Sequence, residues 1–543
     1  MIISSGRSAI LRSTIVILAM AALVIAGAVT AIRTTTAAAA AAIEDDGADC
    51  PVSLPGSLTS NSRLPDPFKK LDGSRISTKS DWRCRREEIK KLAERYVYGE
   101  KPLKPASVTG TVSSTSITVN VSQNGRSASF SAGVQLPSGT GPFPAVVVVG
   151  GLGADTSTIR SSGAAIISYD PLAVGREGTP RNNKQGAFYT IYGATSGTGL
   201  LAAWAWGVSR IIDVIEQSGG NILKADALGV TGCSRYGKGA FAVGVFDQRI
   251  ALTMPIESGS GGAPIFRGIA QESGAQPLSS AYSEQPWLGD AFNSFTGSPN
   301  TLPVDTHEMV GMVAPRGLFI MENPHIDWLA ARSGSVSALG GAEVYKALGA
   351  GDNITYWSDV QDGTHCAARP EWRAPLQANI QKFLLKTGGT TGTFRISSLK
   401  AGNLADWRDW QTPTLSGGTS TPPTTPITTP PTTPTTTPPT TSPPPGGCTS
   451  SVSLNQWTGG FVATVRVTAV SSLVTGWTAT MTLPAGATIT NAWNVNRSGN
   501  TGAVQFTNVN FNGSIAAGQS TEFGFQATGT GTGTGMTPTC AAR

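Results

Sequence analysis

The sequence has only three histidines, His307, His325 and His365, and no cysteine–histidine cluster at metal-ligand spacing. A transition-metal site therefore lacks a ligand framework, and no metal or cofactor is expected. Charge is sparse: 14% of residues are Asp, Glu, Lys or Arg, and the net +6 is spread along the chain without a Lys/Arg block. Nucleic-acid binding needs basic clustering, so no nucleic-acid partner is expected. Only one long apolar run exists, Ile15 to Ala31, and nothing after it is long enough to cross a bilayer. No feature calls for self-association, so a monomer is expected.

The apolar run is preceded by Arg7 and Arg12 and closed by Ala28-Val-Thr-Ala31, the small-x-small pattern of an export signal. A single membrane anchor is the alternative. Residues 1–42 are read as a signal peptide with an alanine-rich segment, and the mature protein as secreted, extracellular and free of the membrane. Six cysteines after an export signal imply three disulfides, for which 15 pairings exist. Position narrows them. Cys448 and Cys540 bracket the C-terminal region, Cys50 and Cys84 lie near the start, and Cys233 and Cys366 remain.

At 543 residues the chain exceeds one compact domain. Residues 411–447 are almost all Pro and Thr, a composition that buries no core and favours extended polyproline II. About 30 such residues at ~3.1 Å each reach up to roughly 100 Å. Before this linker, 48–410 reads as α/β. Buried strands are expected at Pro144–Gly151, Ala164–Asp170, Ala227–Thr231, Leu318–Glu322 and Ile354–Trp357. Helices are expected at Ala202–Gln217, with one broad apolar face, and Tyr236–Phe246. Alternating strands and helices imply a mostly parallel sheet covered on both faces, a three-layer sandwich. After the linker, 448–543 shows short alternating strands such as Phe461–Thr468, without helical period, and reads as a separate all-β sandwich.

The strand ending at Gly232-Cys-Ser234, followed by a helix, has the form of a nucleophile elbow. It departs from G-x-S-x-G: Tyr236 takes the second place after Ser234, and glycine follows at Gly237. An ordinary turn is the alternative. Arg235 and Lys238 would lie in the first helical turn, where the dipole disfavours cations; held anions or an oxyanion would account for them. His365 follows a late strand, where α/β hydrolases carry their base. His307 reads as a buried structural histidine and His325 as a loop residue. For the acid, Glu257 at a strand end competes with Asp359 and Asp362 just before His365. A Cys233–Cys366 bond would strap Ser234 to His365 without touching any of the three acids.

Gly232-Cys-Ser-Arg-Tyr-Gly-Lys-Gly239 resembles the signature of the glucuronoyl esterases, carbohydrate esterase family 15. The resemblance extends over most of 50–400 and includes Ala203–Ile212, Glu257-Ser-Gly259, Glu284-Gln-Pro-Trp287, Ala314-Pro-Arg-Gly317, Ile326-Asp-Trp328 and His365-Cys366. It implies an α/β-hydrolase domain that cleaves the ester between 4-O-methyl-glucuronic acid of xylan and lignin alcohols. Ser234 is the implied nucleophile, His365 the base, Glu257 the acid and Arg235 the oxyanion-binding arginine. Lys238, Glu284, Trp328 and, across a small gap, Gln276 are the implied uronate contacts; core packing is the alternative for Trp328. The Cys233–Cys366 and Cys50–Cys84 bridges also look like family disulfides. Some bacterial relatives recruit an aspartate near the histidine, which keeps Asp359 and Asp362 open. Asn455–Phe461, Gly476-Trp477, Ala492-Trp493 and Asn512–Ile515 resemble a family 2 carbohydrate-binding module. That implies a cellulose-binding strip at Trp457, Trp493 and Phe511, with Trp477 in the core. An acetyl-xylan or feruloyl esterase, and a non-catalytic wall-binding protein, are the other readings.

Overall fold

Successive residues of the strand Phe143–Val149 point into two different apolar cores, and this alternation sets the architecture. Ala145, Val147 and Val149 join one core; Val146 and Val148 join the other. A strand buried on both faces reads as a continuous apolar run, which is why Ala-Val-Val-Val-Val was legible as a central strand. The computed structural model describes residues 44–417 and 447–542 apart from 458, 510–511 and 530–535. The expected export signal, most of the linker and Phe511 therefore lie outside the described residues.

The first unit carries a ten-stranded sheet in the order β1-β2-β3-β5-β4-β6-β7-β8-β9-β10. Its strands are β1 (Ser107–Val112), β2 (Ser116–Gln123), β3 (Arg126–Gln135), β4 (Phe143–Val149), β5 (Ala165–Tyr169), β6 (Leu223–Cys233), β7 (Ile250–Ile256), β8 (Gly317–Met321), β9 (Ile354–Trp357) and β10 (Phe394–Arg395). From β5 through β10 the neighbours are parallel. At the other end β1, β2 and β3 form an antiparallel meander joined to β5, which the sequence patterning did not reveal. Helices α1 (Asp81–Ala93), α2 (Leu200–Gln217), α3 (Arg235–Phe246) and α4 (Thr306–Val313) bury residues in the larger core. Helix α5 (Ala331–Ala347) contributes Ala338, Val344 and Tyr345 to the same core. On the opposite face α6 (Pro370–Ile380) contributes Trp372, Leu376 and Ile380.

Helix α2 departs from the expected single apolar face. Every residue from Leu200 to Ile215 is buried, Arg210 and Asp213 included. The physical reason is the unanticipated meander, which covers the outer side of the helix: a Cβ at Gly110 of β1 would lie 2.9 Å from the Val214 methyls. The two buried charges find partners. Arg210 pairs with Glu44 at 2.5 Å and Arg249 with Asp213 at 2.7 Å. Burial alone would raise Glu44, but Lys101, Arg210 and Arg249 hold its carboxyl far below the ordinary range. Among the described residues packing thus extends from Glu44, ahead of the expected boundary at 48, to Ser416, past the expected boundary at 410: Leu415 is buried in the core and the Ser416 N–H donates to the Ser77 carbonyl at 3.0 Å.

The second unit is all antiparallel, with sheets β11-β12-β17-β14 and β15-β16-β13-β18. The strands are β11 (Cys448–Trp457), β12 (Gly460–Ala469), β13 (Trp477–Thr482), β14 (Thr488–Trp493), β15 (Asn496–Arg497), β16 (Ala503–Thr507), β17 (Ser520–Thr528) and β18 (Thr539–Ala542). Trp477 is fully buried, stacks on Phe523 and donates its indole N–H to the Asn512 carbonyl at 2.8 Å. All three disulfides form as paired above: Cys50–Cys84, Cys233–Cys366 and Cys448–Cys540.

Candidate active site

The chain turns sharply where β6 ends and α3 begins, and Ser234 sits on that turn with φ 59° and ψ −126°. A non-glycine residue there is strained by about 1–3 kcal/mol and persists only where its surroundings hold it. Here the Ser234 N–H donates to the Ile256 carbonyl at 3.0 Å, tying the turn to β7. The same closeness explains the displaced glycine. A Cβ at Gly237 would come within 2.4 Å of the Ile256 carbonyl, and one at Gly232 within 2.6 Å of the Tyr236 carbonyl. Glycine is needed where α3 meets its neighbours, one place later than in G-x-S-x-G.

Glu257, one residue past β7, is also at positive φ, 45°, and fully buried. Its Oε2 lies 2.6 Å from His365 Nδ1 and accepts the Cys366 N–H at 2.7 Å. Its Oε1 accepts from the Asn323 amide at 3.2 Å, with the Arg369 Nε 3.8 Å away. With Nδ1 engaged, Nε2 is the His365 nitrogen left for Ser234, which lines the same cavity. Asp359 instead pairs with Arg395 at 2.9 Å. Asp362 is exposed, accepts the Thr364 N–H at 2.7 Å, and that bond holds its carboxyl below the ordinary range. Neither aspartate is bonded to His365.

The strap does more than the sequence reading allowed. Cys233 and Cys366 are bonded at 2.07 Å, and the expectation that this bond leaves the acid untouched is wrong. Cys366 presents its N–H to Glu257, from a backbone at φ 58°, and the Cys233 sulfur lies 3.9 Å from Glu257 Oε2. The bond forms where β6 and the His365 loop converge over the carboxylate, so Ser234, His365 and Glu257 are fixed around one covalent link.

The other histidines are occupied elsewhere. His307 is buried in α4 with Nε2 2.8 Å from the Pro65 carbonyl, and burial pushes it down to about 4. His325 is held 2.9 Å from the Val360 carbonyl.

Ser234, Arg235, Lys238, Gln276, Glu284, Trp328 and His365 line one cavity of about 290 Å³. Gln276 donates to Glu284 Oε2 at 2.8 Å, and its own N–H donates to the Trp328 carbonyl at 3.2 Å. Trp328 is 53% exposed, with its ring edge-on to His365, so core packing does not explain it. Lys238 is buried and donates to the Ser258 carbonyl at 2.6 Å. Desolvation pushes it down to about 8, against the opposing charges of Glu284 and Glu322. The first N–H groups of a helix have no partner within it, so the Arg235 N–H at the head of α3 is available to an oxyanion.

Glu177 was not anticipated. It accepts from Arg235 at 3.1 Å and from the Trp287 indole at 2.5 Å, so it offsets the cation that the helix dipole disfavours. Trp287, buried under Lys238, lies in a motif the sequence offered but was given no role. Asn323 and Arg369 meet Glu257 only through the fold. In the second unit, Trp457 and Trp493 end β11 and β14, the two edge strands of one sheet.

Both units are similar to known proteins. The sequence profile described as "Glucuronyl esterase, fungi" matches residues 119–349, and that described as "Cellulose binding domain" matches 448–541. The chain is 38% identical over 377 residues to the 4-O-methyl-glucuronoyl methylesterase of Hypocrea jecorina, spanning 68% of this chain and 80% of that one. The solved glucuronoyl esterase catalytic domain from the same organism aligns with TM-score 0.63 at 37% identity, over 67% of this chain and all of that one. A serine-to-alanine variant of a Sporotrichum thermophile glucuronoyl esterase, in complex with methyl 4-O-methyl-beta-D-glucopyranuronate, aligns with TM-score 0.64 at 38% identity, over 68% of this chain and all of that one.

Proposed function

We propose a function from one premise: the chain belongs to the glucuronoyl esterase family. It is a secreted serine esterase that hydrolyses the ester between 4-O-methyl-glucuronic acid of glucuronoxylan and lignin alcohols, carried to the plant cell wall by its C-terminal module. The observation that carries the reading is the 2.6 Å contact of His365 Nδ1 with the buried Glu257, beside Ser234 on its strained turn.

In this mechanism Ser234 Oγ attacks the uronate C6 carbonyl while His365 Nε2 takes its proton. Glu257 fixes the histidine tautomer and stabilises the imidazolium. The Arg235 N–H and guanidinium hold the oxyanion, a type of donor worth roughly 3–4 kcal/mol in hydrolases. Collapse breaks the ester C–O bond, and the alcohol leaves with the proton from His365. Water, deprotonated by His365, then attacks the glucuronoyl-serine and releases glucuronate, restoring Ser234. Lys238, Glu284 and Gln276 bond the sugar hydroxyls, and Trp328 supplies a wall at the mouth.

Secretion is supported by the export signal in 1–42 and by three disulfides, which need an oxidising compartment. The layout is an esterase unit reaching from Glu44 to Ser416, a Pro/Thr linker from there to 447 and a cellulose-binding unit at 448–543 that uses Trp457, Trp493 and Phe511. The chain acts as a monomer, without nucleic acid or metal. Incubating the full chain with microcrystalline cellulose and assaying both fractions tests the reading. Benzyl glucuronate hydrolysis is expected in the pellet, at a kcat/KM well above that for p-nitrophenyl acetate. A preference for the acetate would favour an acetyl-xylan esterase, and activity left wholly in the supernatant would remove the targeting role.

A further inference from the structure

We infer that a second open cavity, beside the catalytic one, is a subsite for the neutral sugar chain that bears the esterified uronate. The inference rests on the glucuronoyl-ester reading above. The catalytic cavity, about 290 Å³, has room for roughly one sugar ring. A uronate that branches from a polymer must be continued outside it. The neighbouring cavity is larger, about 460 Å³, and lies within the usual range for small-ligand sites.

No residue lines both cavities, but two chain segments run from one to the other. The segment from Gln271 to Gln276 lines the second cavity with Gln271 and the catalytic cavity with Gln276. The segment from Trp328 to Arg332 does the same, with Trp328 in the catalytic cavity and Arg332 in the second. Four or five residues of chain span at most roughly 17 Å. These walls are fastened to each other at both ends. The Gln276 N–H donates to the Trp328 carbonyl at 3.2 Å. Glu272 accepts the Arg332 and Ser333 N–H groups at 3.0 and 2.8 Å, at the head of α5. A third wall, residues 400–407, is tied in by Lys400 to Asp327 at 3.0 Å. A ligand continuing from one cavity to the other would cross these tied segments.

The lining suits a sugar. Trp407 is half-buried and faces the cavity, and a sugar ring can lay its C–H face on an indole. Asn403, bonded to Asp406 at 3.1 Å, supplies a planar amide, while the exposed Gln271 and Arg332 side chains have no other partner among the described residues. Such planar groups can donate to hydroxyls without needing a charge on the ligand. Arg63 and Arg332 balance the carboxylates of Glu272 and Asp406 in the lining, which suits a neutral chain better than a polyanion.

The test compares two esters of the same uronate, one as the free sugar and one as the branch of a xylo-oligosaccharide. Wild type, Gln271→Ala, Arg332→Ala and Trp407→Ala are assayed on both. The first two variants change exposed side chains and guard against misfolding in the third. On the free-sugar ester all are expected within about twofold of wild type. On the oligosaccharide ester kcat/KM is expected to fall about 5- to 20-fold, chiefly through KM, as for one or two lost contacts. Equal loss on both substrates, or loss on neither, overturns the subsite. Failure of wild type to cleave the free-sugar ester would instead overturn the esterase reading.

Discussion

Replacing Ser234 with alanine is expected to lower kcat on benzyl glucuronate by about 10⁶-fold, the scale seen when a triad serine is removed. The fold should survive, since Ser and Ala pay the same steric cost at φ 59° and the hydroxyl makes no hydrogen bond to the described residues. The thermal midpoint and cellulose sedimentation of the variant are therefore expected to match wild type. Reaction progress by liquid chromatography, alongside a melt, checks both. Hydrolysis within tenfold of wild type would show that another group attacks the ester.

The second large effect concerns the strap. A Cys233→Ala/Cys366→Ala variant loses a link that closes a separation of 133 residues. Chain entropy puts the lost stability at about 2–5 kcal/mol. The catalytic effect follows from geometry rather than from stability. Cys366 donates its N–H to the same Glu257 oxygen that His365 contacts, so releasing the loop moves base and acid together. A displacement near 1 Å costs about 10²-fold. The expected outcome is a lower melting temperature together with a kcat reduced about 10²-fold at temperatures where the variant is still folded. A variant that melts lower but keeps full kcat would confine the disulfide to stability.

The parallel half of the sheet was legible because strands buried on both faces, such as Ala145–Val149 and Leu318–Met321, are apolar without interruption. The meander β1–β3 carries the polar–apolar alternation of half-buried strands, but that pattern does not reveal that three antiparallel strands extend a parallel sheet and cover α2. That omission carried over to α2, whose second apolar face made sense only once β1 and β2 covered it. Within the site, Ser234 and His365 announced themselves through strand–turn–helix context and through the scarcity of histidine. Glu257 could not be separated from Asp359 and Asp362 by spacing, since its claim depends on β7 lying beside β6 and on a positive φ that no residue type signals. Glu177 was invisible for the same reason: 58 residues separate it from Arg235, and only the fold joins them.

A cavity built for a glucuronate acyl group must distinguish that sugar from its epimers. Buried Lys238 and the more open Glu284 and Gln276 face the same space, so a sugar with one hydroxyl inverted would lose a hydrogen bond to this set. The measurement is kcat/KM for benzyl D-glucuronate beside its 4-epimer, benzyl D-galacturonate. The expected result is a preference for the glucuronate of about tenfold or more. Equal rates on the two epimers, or a preference for the galacturonate, would contradict it.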